Sequence, residues 1–168
     1  MLSRLRRALA SRRGYPSGPR IDRVAPWLLI GPVLHPKDYR QLTAREVTHV
    51  VDLRAEEVDD AERLRATGSV WHHVPIVDRL APTVDSLGAM LAWLNEAREA
   101  SGDRMVLYVH CQGGVGRTPT VATALLMATG FSLPDAMRLV RAARPETAPT
   151  EEQQRWLESL RFDQAESA

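Results

Sequence analysis

The chain has 168 residues and a mass of 18.7 kDa, with a net charge of +1, 44% hydrophobic and 26% charged side chains. These values fit one folded domain with an ordinary core, and no apolar run reaches the roughly 18 residues that a membrane span requires. Six arginines and no acidic residue lie within residues 1–20, so the rest carries 16 basic against 21 acidic side chains, a net charge of −5. The net negative charge of residues 21–168 argues against nucleic-acid binding as the main function.

Residues 1–20 are predicted to form a basic N-terminal tail and linker. Leu2, Leu5 and Leu9 have helical spacing, and glycines and prolines break the pattern from Gly14 onward. An Arg-rich, acid-free start fits a solvated tail, or alternatively an organelle transit sequence or a segment lying on anionic lipid. We therefore expect a cytoplasmic protein, with a membrane-surface or organelle location through these arginines as the alternative.

From residue 21 onward, short apolar strands alternate with helical patterns. The strands are predicted at 24–30, bent or divided at Pro26, and then at 47–53, 70–76 and 105–111. The helices are predicted at 36–46, 83–100, 118–130, 134–143 and 150–160, with Thr83 as an N-cap. The alternation predicts an α/β domain over residues 21–162, with a central, mostly parallel sheet of four to five strands flanked by helices, and a C-terminal tail at 163–168.

The loop after strand 105–111 has the composition of an anion site, which in such folds is expected beyond the carboxyl ends of parallel strands. Its three glycines allow a tight curl that turns successive N–H groups toward one point, and the following helix adds its own free amides. Arg117 adds a planar fork of donors that suits phosphate oxygens. The predicted phosphate-binding residues are Gln112, Gly113, Gly114, Val115, Gly116 and Arg117.

Cys111 is the only cysteine and stands at the mouth of this loop. One cysteine can form neither an internal disulfide nor a thiolate zinc cluster, which indicates a reducing compartment. A lone cysteine is most often a small core residue, but amides, a helix dipole and a guanidinium around it favour the thiolate. Cys111 is therefore predicted to be a nucleophile at neutral pH.

The string His110-Cys111, five residues and Arg117-Thr118 resembles the HC-x5-R-[S/T] signature of the cysteine-dependent protein tyrosine phosphatase superfamily. The chain is most similar to the small dual-specificity branch, over about residues 21–161. The resemblance implies that family's fold and the two-step hydrolysis of a phosphomonoester through a phosphocysteine, with no metal and no cofactor. Pro119 departs from the pattern, since many members have Gly there, and this puts the start of the helix in doubt. The absence of Lys from the loop disfavours a Walker-type nucleotide site.

The resemblance also implies roles for three neighbouring side chains. Thr118 corresponds to a hydroxyl that hydrogen-bonds the cysteine sulfur and helps it leave, with helix N-capping as the alternative reading. His110 corresponds to a histidine that braces the loop. Gln153 lies in a segment where related phosphatases place a water-orienting glutamine, although a glutamine on a solvated helix surface is the favoured interpretation.

Expulsion of the leaving oxygen requires a proton donor. The favoured candidate is Asp78, in a segment that resembles the acid loop of small dual-specificity phosphatases. Asp85 and Asp52 are the alternatives: Asp85 lies in a first helical turn, where a carboxylate suits the dipole, and Asp52 ends a strand.

No insertion in the chain could build a deep phosphotyrosine wall, so the expected substrates are phosphotyrosine and phosphoserine or phosphothreonine in proteins. A phospholipid or phosphoinositide phosphatase is one alternative, weakened by the neutral Gln112 and Val115, and a catalytically silent phosphate-binding domain is another.

His72 and His73 are expected to point to opposite faces of a strand, which argues against joint metal ligation. The four tryptophans are predicted to be core or groove-lining residues.

Overall fold

The computed structural model describes residues 19–162 and confirms the predicted α/β class with a sheet of five strands. The strands are β1 Asp22–Ala25, β2 Leu28–Pro32, β3 His49–Arg54, β4 Val70–Ile76 and β5 Leu107–Cys111. The helices are α1 Arg40–Thr43, α2 Ala61–Ala66, α3 Val84–Ser101, α4 Arg117–Ala128, α5 Leu133–Ala143 and α6 Glu151–Ser159. The predicted tails lie outside the described residues, apart from residues 19 and 20.

The strand order is β1-β2-β5-β3-β4. Among these described strands only β1 runs antiparallel to its neighbour, and the β2–β5, β5–β3 and β3–β4 pairs are parallel. The sequence around Pro26 predicted either one bent strand or two short strands, and the structure has two, β1 and β2. Because four strands run in one direction, their carboxyl ends meet at one edge of the sheet, and Cys111 ends the central strand at that edge.

Two apolar cores cover the two faces of the sheet. The larger core packs α3, α4, α5 and α6 against residues such as Leu107 and Val109 of β5. The smaller core places α1 and α2 against Tyr108 and Val50. Since β5 is covered on both faces, its apolar character throughout is the pattern expected of a central parallel strand.

Local capping sets where the longer helices start. Thr83 caps α3 as predicted, because its side chain accepts a hydrogen bond from the Ser86 N–H at 3.1 Å. Pro119 does not disturb α4, which begins at Arg117 directly after Gly116, because proline is tolerated in a first helical turn.

Between residues 19 and 162, no helix combines the length and the apolar character needed to cross a bilayer.

The aromatic contacts confirm the expected faces of β4. His72 stacks on Trp93 of α3 with ring centroids 4.5 Å apart, whereas His73 stacks on Trp71 of its own strand at 5.8 Å. The two imidazoles therefore lie on opposite faces of the sheet. All four tryptophans pack against one of the two cores, as predicted.

Candidate active site

The loop between β5 and α4 turns its carbonyl groups outward. Each carbonyl from Gln112 to Gly116 accepts a hydrogen bond from a group outside that segment. The donors are Val33 N (3.1 Å), Arg144 Nη2 (3.1 Å), Arg144 Nε (2.9 Å), Ala148 N (2.7 Å) and Thr120 N (3.2 Å). In a trans peptide the N–H points opposite to the C=O, and the described chain contains no cis bond. The amides of residues 113–117 are therefore directed toward the inside of the loop.

Cys111 lies at the base of this ring of amides. Its side chain is buried, and its Sγ accepts a hydrogen bond from the Gly114 N–H at 3.3 Å. The first turn of α4 follows immediately and adds the positive end of its dipole. The sulfur therefore lies among backbone N–H groups at the positive end of a helix, surroundings that attract an anion.

Gly114 is required at its position for two separate reasons. Its φ of +70° is in the left-handed region, which disfavours side chains. A Cβ atom added there would also lie 2.5 Å from the carbonyl carbon and oxygen of Gly31, on the neighbouring strand β2. The loop can therefore approach the sheet edge only with glycine at this point.

Arg117 is buried and is oriented by a carboxylate that the sequence analysis missed. Its Nη1 and Nη2 each donate to one oxygen of Glu56 at 2.7 Å, and Nη1 also donates to the Ile76 carbonyl at 2.8 Å. The bond to Arg117 is the main cause that lowers the pKa of Glu56 to about 2. The Nε of Arg117 is buried and has no hydrogen-bond partner among the described residues. The edge formed by Nε and Nη2 is thus left to receive two oxygens of a phosphate.

Of the three carboxylates considered as proton donors, Asp78 is the one that contacts Arg117. Its Oδ1 lies 3.3 Å from Nη2, and its side chain is 72% exposed. Asp52 is fully buried and accepts from Arg54 and from the Asp59 N–H through both oxygens, so its acceptor sites are filled. Asp85 is exposed in the first turn of α3.

His110 anchors the loop to a buried ionic network. Its Nε2 lies 2.7 Å from Asp59 Oδ2, and its Nδ1 lies 3.3 Å from the Cys111 carbonyl oxygen. Asp59 is also paired with Arg54 at 2.9 Å, and Arg54 is paired with Asp52 at the same distance. One carboxylate oxygen each of Asp52 and Asp59 and one ring nitrogen of His110 lie within 4.8 Å of one another, a spacing compatible with a metal ion. The Arg54 guanidinium is already paired with both carboxylates, and His110 contacts one of them, so this cluster fits a hydrogen-bonded brace better than a cation site.

Thr118 and Gln153 differ from their expected local structure. Helix α4 begins at Arg117 with Gly116 as the N-cap, so the reading of Thr118 as an N-cap is wrong. Its Oγ1 is buried without a partner among the described residues and remains available to a ligand or to the sulfur. The favoured reading of Gln153 as a solvated surface residue is also wrong: Gln153 is fully buried, and its amide lies 3.6–3.8 Å from the position of a Cβ on Gly116.

The sequence analysis missed two residues that shape the site, Arg144 and Glu56. Arg144 follows α5, and it supports the loop only because the fold returns the chain past the carbonyls of Gly113 and Gly114. Glu56 could have been found, because it follows the end of β3 by two residues and the carboxyl ends of parallel strands share one edge. Its acidic neighbours concealed it, since a run of charges usually marks a solvated segment.

Comparison with known proteins gives consistent relatives. Residues 28–168 match the family described as PTP-SAK, a Swiss Army Knife protein DSP-PTPase phosphatase domain. The chain is 30% identical over 125 residues to dual specificity protein phosphatase Mpk3 of Drosophila melanogaster, covering 73% of this chain and 29% of that protein. It is 29% identical over 145 residues to human dual specificity protein phosphatase 22, covering 85% of this chain and 74% of that protein. The chain spans 53% of the length of rat dual specificity protein phosphatase 15.

Solved structures agree with these sequence relatives. The active form of Tk-PTP superposes with a TM-score of 0.73 at 30% identity, covering 86% of this chain and 96% of that one. A mouse putative dual specificity phosphatase crystallised with zinc tungstate gives 0.71 at 27% identity, covering 88% and 90%. Together with the family match over most of the chain, these likenesses agree with the signature loop and the sheet order. The chain belongs to the dual-specificity phosphatase domain family of the protein tyrosine phosphatase superfamily.

Proposed function

We propose that this protein hydrolyses phosphomonoesters through a phosphocysteine formed on Cys111, with phosphorylated proteins as substrates. The observation that carries the proposal is the outward orientation of the loop carbonyls, which leaves five amides, the Arg117 guanidinium and the Cys111 sulfur directed at one point. A phosphate dianion matches that set of donors in charge and size.

In the first step the Cys111 thiolate attacks phosphorus, forming the S–P bond while the bond from phosphorus to the leaving oxygen breaks. The loop amides and the Nε–Nη2 edge of Arg117 hold the equatorial oxygens as their charge develops. The leaving oxygen takes the electron pair of the broken bond and a proton from Asp78, and the 3.3 Å contact of Asp78 with Arg117 Nη2 supports this role.

In the second step a water molecule attacks the phosphocysteine and transfers a proton to the Asp78 carboxylate. The P–S bond breaks, its electron pair returns to sulfur as the thiolate, and inorganic phosphate is released. The buried hydroxyl of Thr118, which has no partner in the described part of the chain, is available to donate a hydrogen bond to the departing sulfur. His110 keeps the base of the loop in place through Asp59.

The rim of the site supports a phosphorylated peptide as the substrate. Four exposed apolar side chains stand on the three segments around the sulfur: Val58, Val77, Leu80 and Val115. Acidic side chains accompany them, with Glu56 43% and Glu57 68% exposed. Each of these carboxylates is paired with a buried arginine, Glu56 with Arg117 and Glu57 with Arg54. The exposed apolar side chains are therefore the feature that favours a phosphorylated peptide with apolar residues near the phosphate.

The test is phosphate release from an aryl phosphate, with and without a chelator. Wild-type protein should turn over, Cys111→Ser should not, and Asp78→Asn should be slowed most for poor leaving groups. Asp85→Asn is the matched control for Asp78, since it removes an exposed carboxylate elsewhere and should leave the rate unchanged. Turnover by the Cys111→Ser variant at the wild-type rate would overturn the proposal.

A substrate panel separates protein from lipid specificity. Phosphotyrosine and phosphothreonine peptides should be hydrolysed with higher kcat/KM than phosphatidylinositol monophosphate, phosphatidylinositol bisphosphate or phosphatidylglycerophosphate in mixed micelles. A higher kcat/KM for any of the lipids would assign the protein to the phospholipid phosphatases of this fold instead.

A further inference from the structure

The segment that carries Asp78 is fastened by its backbone to the start of α6. Residues 77–80 form a turn closed by a hydrogen bond from the Leu80 N–H to the Val77 carbonyl at 3.1 Å. Thr150 Oγ1 donates to the Arg79 carbonyl at 2.9 Å, and Gln153 Nε2 donates to the Leu80 carbonyl at 2.9 Å. Two consecutive carbonyls directly after Asp78 are therefore held by two side chains of one helix start.

The same two side chains also cap the helix. Gln153 Oε1 accepts from the Thr150 N–H at 2.9 Å, and Thr150 Oγ1 accepts from the Gln153 N–H at 3.3 Å, which makes a reciprocal capping box. These partners define the orientation of the Gln153 amide, because a flipped amide would turn its NH2 toward the Thr150 N–H and its oxygen toward the Leu80 carbonyl. One amide thus joins the helix to the acid-bearing turn.

The start of α6 is in turn attached to the phosphate loop. The Ala148 N–H donates to the Val115 carbonyl at 2.7 Å, just before the helix, and the Gln153 amide packs against Gly116. Gln153 is fully buried between the two segments. The distance between the turn and the loop is therefore set by this side chain.

The turn itself needs such support. Arg79 has φ = +69°, a left-handed conformation that is unfavourable for a residue with a side chain and persists where the surroundings impose it. Asp78 is largely exposed, and its ion pair with Arg117 is long at 3.3 Å. Neither the local backbone preference nor burial of Asp78 accounts for its position.

We propose that Gln153 and Thr150 are positioning residues that hold the Asp78 turn over the phosphate loop, so that the general acid is in place for each turnover. The proposal rests on the proposed function, in which Asp78 protonates the leaving oxygen. It gives Gln153 a different task from the orientation of water, because its Oε1 and Nε2 already bond the helix start and the Leu80 carbonyl.

The test measures kcat/KM across aryl phosphates whose leaving groups range from good to poor. Gln153→Glu keeps an acceptor for the Thr150 N–H, and so keeps the helix cap, but loses the donor to Leu80. This variant should lose about tenfold in kcat/KM on poor leaving groups and less than about twofold on good ones, because only the former depend on a positioned acid. Gln154→Glu, at the exposed neighbouring position on α6, is the matched control and should behave as wild type.

Thr150 gives an independent variant pair. Thr150→Ser keeps the hydroxyl and should retain the wild-type dependence on the leaving group, whereas Thr150→Val should steepen it. Thermal unfolding of every variant is measured in parallel, so that a general loss of folded protein is distinguished from a change confined to poor leaving groups.

A double variant tests whether Gln153 acts through Asp78. In an Asp78→Asn background, Gln153→Glu should add less than about twofold to the loss, since the group being positioned is already gone. If Asp78→Asn itself shows no selective loss on poor leaving groups, the acid assignment in the proposed function fails. If it shows that loss while Gln153→Glu and Thr150→Val match their controls, the positioning proposal alone is overturned.

Discussion

Glu56 and Arg117 form a two-point ion pair, with both carboxylate oxygens 2.7 Å from the two terminal guanidinium nitrogens. The pair takes the end of the guanidinium, and the buried Nε has no hydrogen-bond partner within residues 19–162. Glu56 therefore orients the arginine without occupying Nε.

Replacement Glu56→Gln should lower kcat/KM by about tenfold, because the guanidinium loses the charge that fixes its orientation. The pKa of Glu56 is about 2 owing to the bond from Arg117, so the wild-type carboxylate stays ionised above pH 4 and the deficit should be equal at pH 5 and pH 7. Steady-state kinetics at both pH values checks this. The matched control is Glu57→Gln, one residue further along and 68% exposed; an equal loss in both variants would contradict the orientation role.

Replacement Gly114→Ala should destabilise the protein by about 3 kcal/mol, since it combines a disfavoured positive φ with a clash against the Gly31 backbone. Urea unfolding measures the change. Gly113→Ala is the control: the nearest contact of a Cβ there is 3.7 Å from Val115 Cγ2, an ordinary packing distance. Equal stabilities for the two variants would show that the approach of the loop to β2 is not as tight as described.

Replacement Arg144→Met should destabilise the protein by about 2–4 kcal/mol, because it removes the donors to the buried Gly114 carbonyl and to the partly buried Gly113 carbonyl. It should also lower kcat/KM, since the carbonyls of Gly113 and Gly114 would no longer be held outward. Arg141→Met removes an exposed arginine from α5 and serves as the control. A stable Arg144→Met variant with unchanged kinetics would contradict the bracing role.

Two histidines, the buried His49 and the half-buried His72, should make stability depend on pH. Burial lowers the pKa of His49 and of His72, the latter with a further contribution from His73. Because the unfolded chain then binds protons that the folded one does not, the free energy of unfolding should fall as pH drops below 6.5, by at most about 1.4 kcal/mol per pH unit for each histidine.

Urea unfolding at pH 7.5, 6.5 and 5.5 measures this dependence. A His49→Gln/His72→Gln double variant should lose part of the slope, and His35→Gln, which removes an exposed imidazole, should keep it. Wild-type stability that rises on acidification would contradict the assignment.

The loop between β5 and α4 was predictable because its residues are contiguous in the sequence. Strand, cysteine, glycines and Arg117 follow one another in the chain, so their geometry needs only the strand-to-helix connection. The sheet was predictable for the same kind of reason, since the alternation of strands and helices restricts the connections available.

The supports of the loop were not predictable, because they depend on contacts between distant parts of the chain. Arg144 reaches the loop carbonyls from the end of α5, and Gln153 looks like a polar residue on a charged helix until the turn at residues 77–80 is packed against it. Thr118 was predicted as a functional hydroxyl, with an N-cap as the alternative. The cap reading required the helix to begin after Thr118, whereas α4 begins at Arg117 and has Gly116 as its N-cap.

Rapid acid quench of the wild-type protein during turnover of an aryl phosphate, followed by mapping of the phosphorylated peptide, tests the central claim most directly. The account predicts phosphate attached to Cys111, accumulating before steady state and absent from the Cys111→Ser variant. Phosphate found on His110 or another residue, or steady-state turnover with no phosphoenzyme trapped at any quench time, would contradict it.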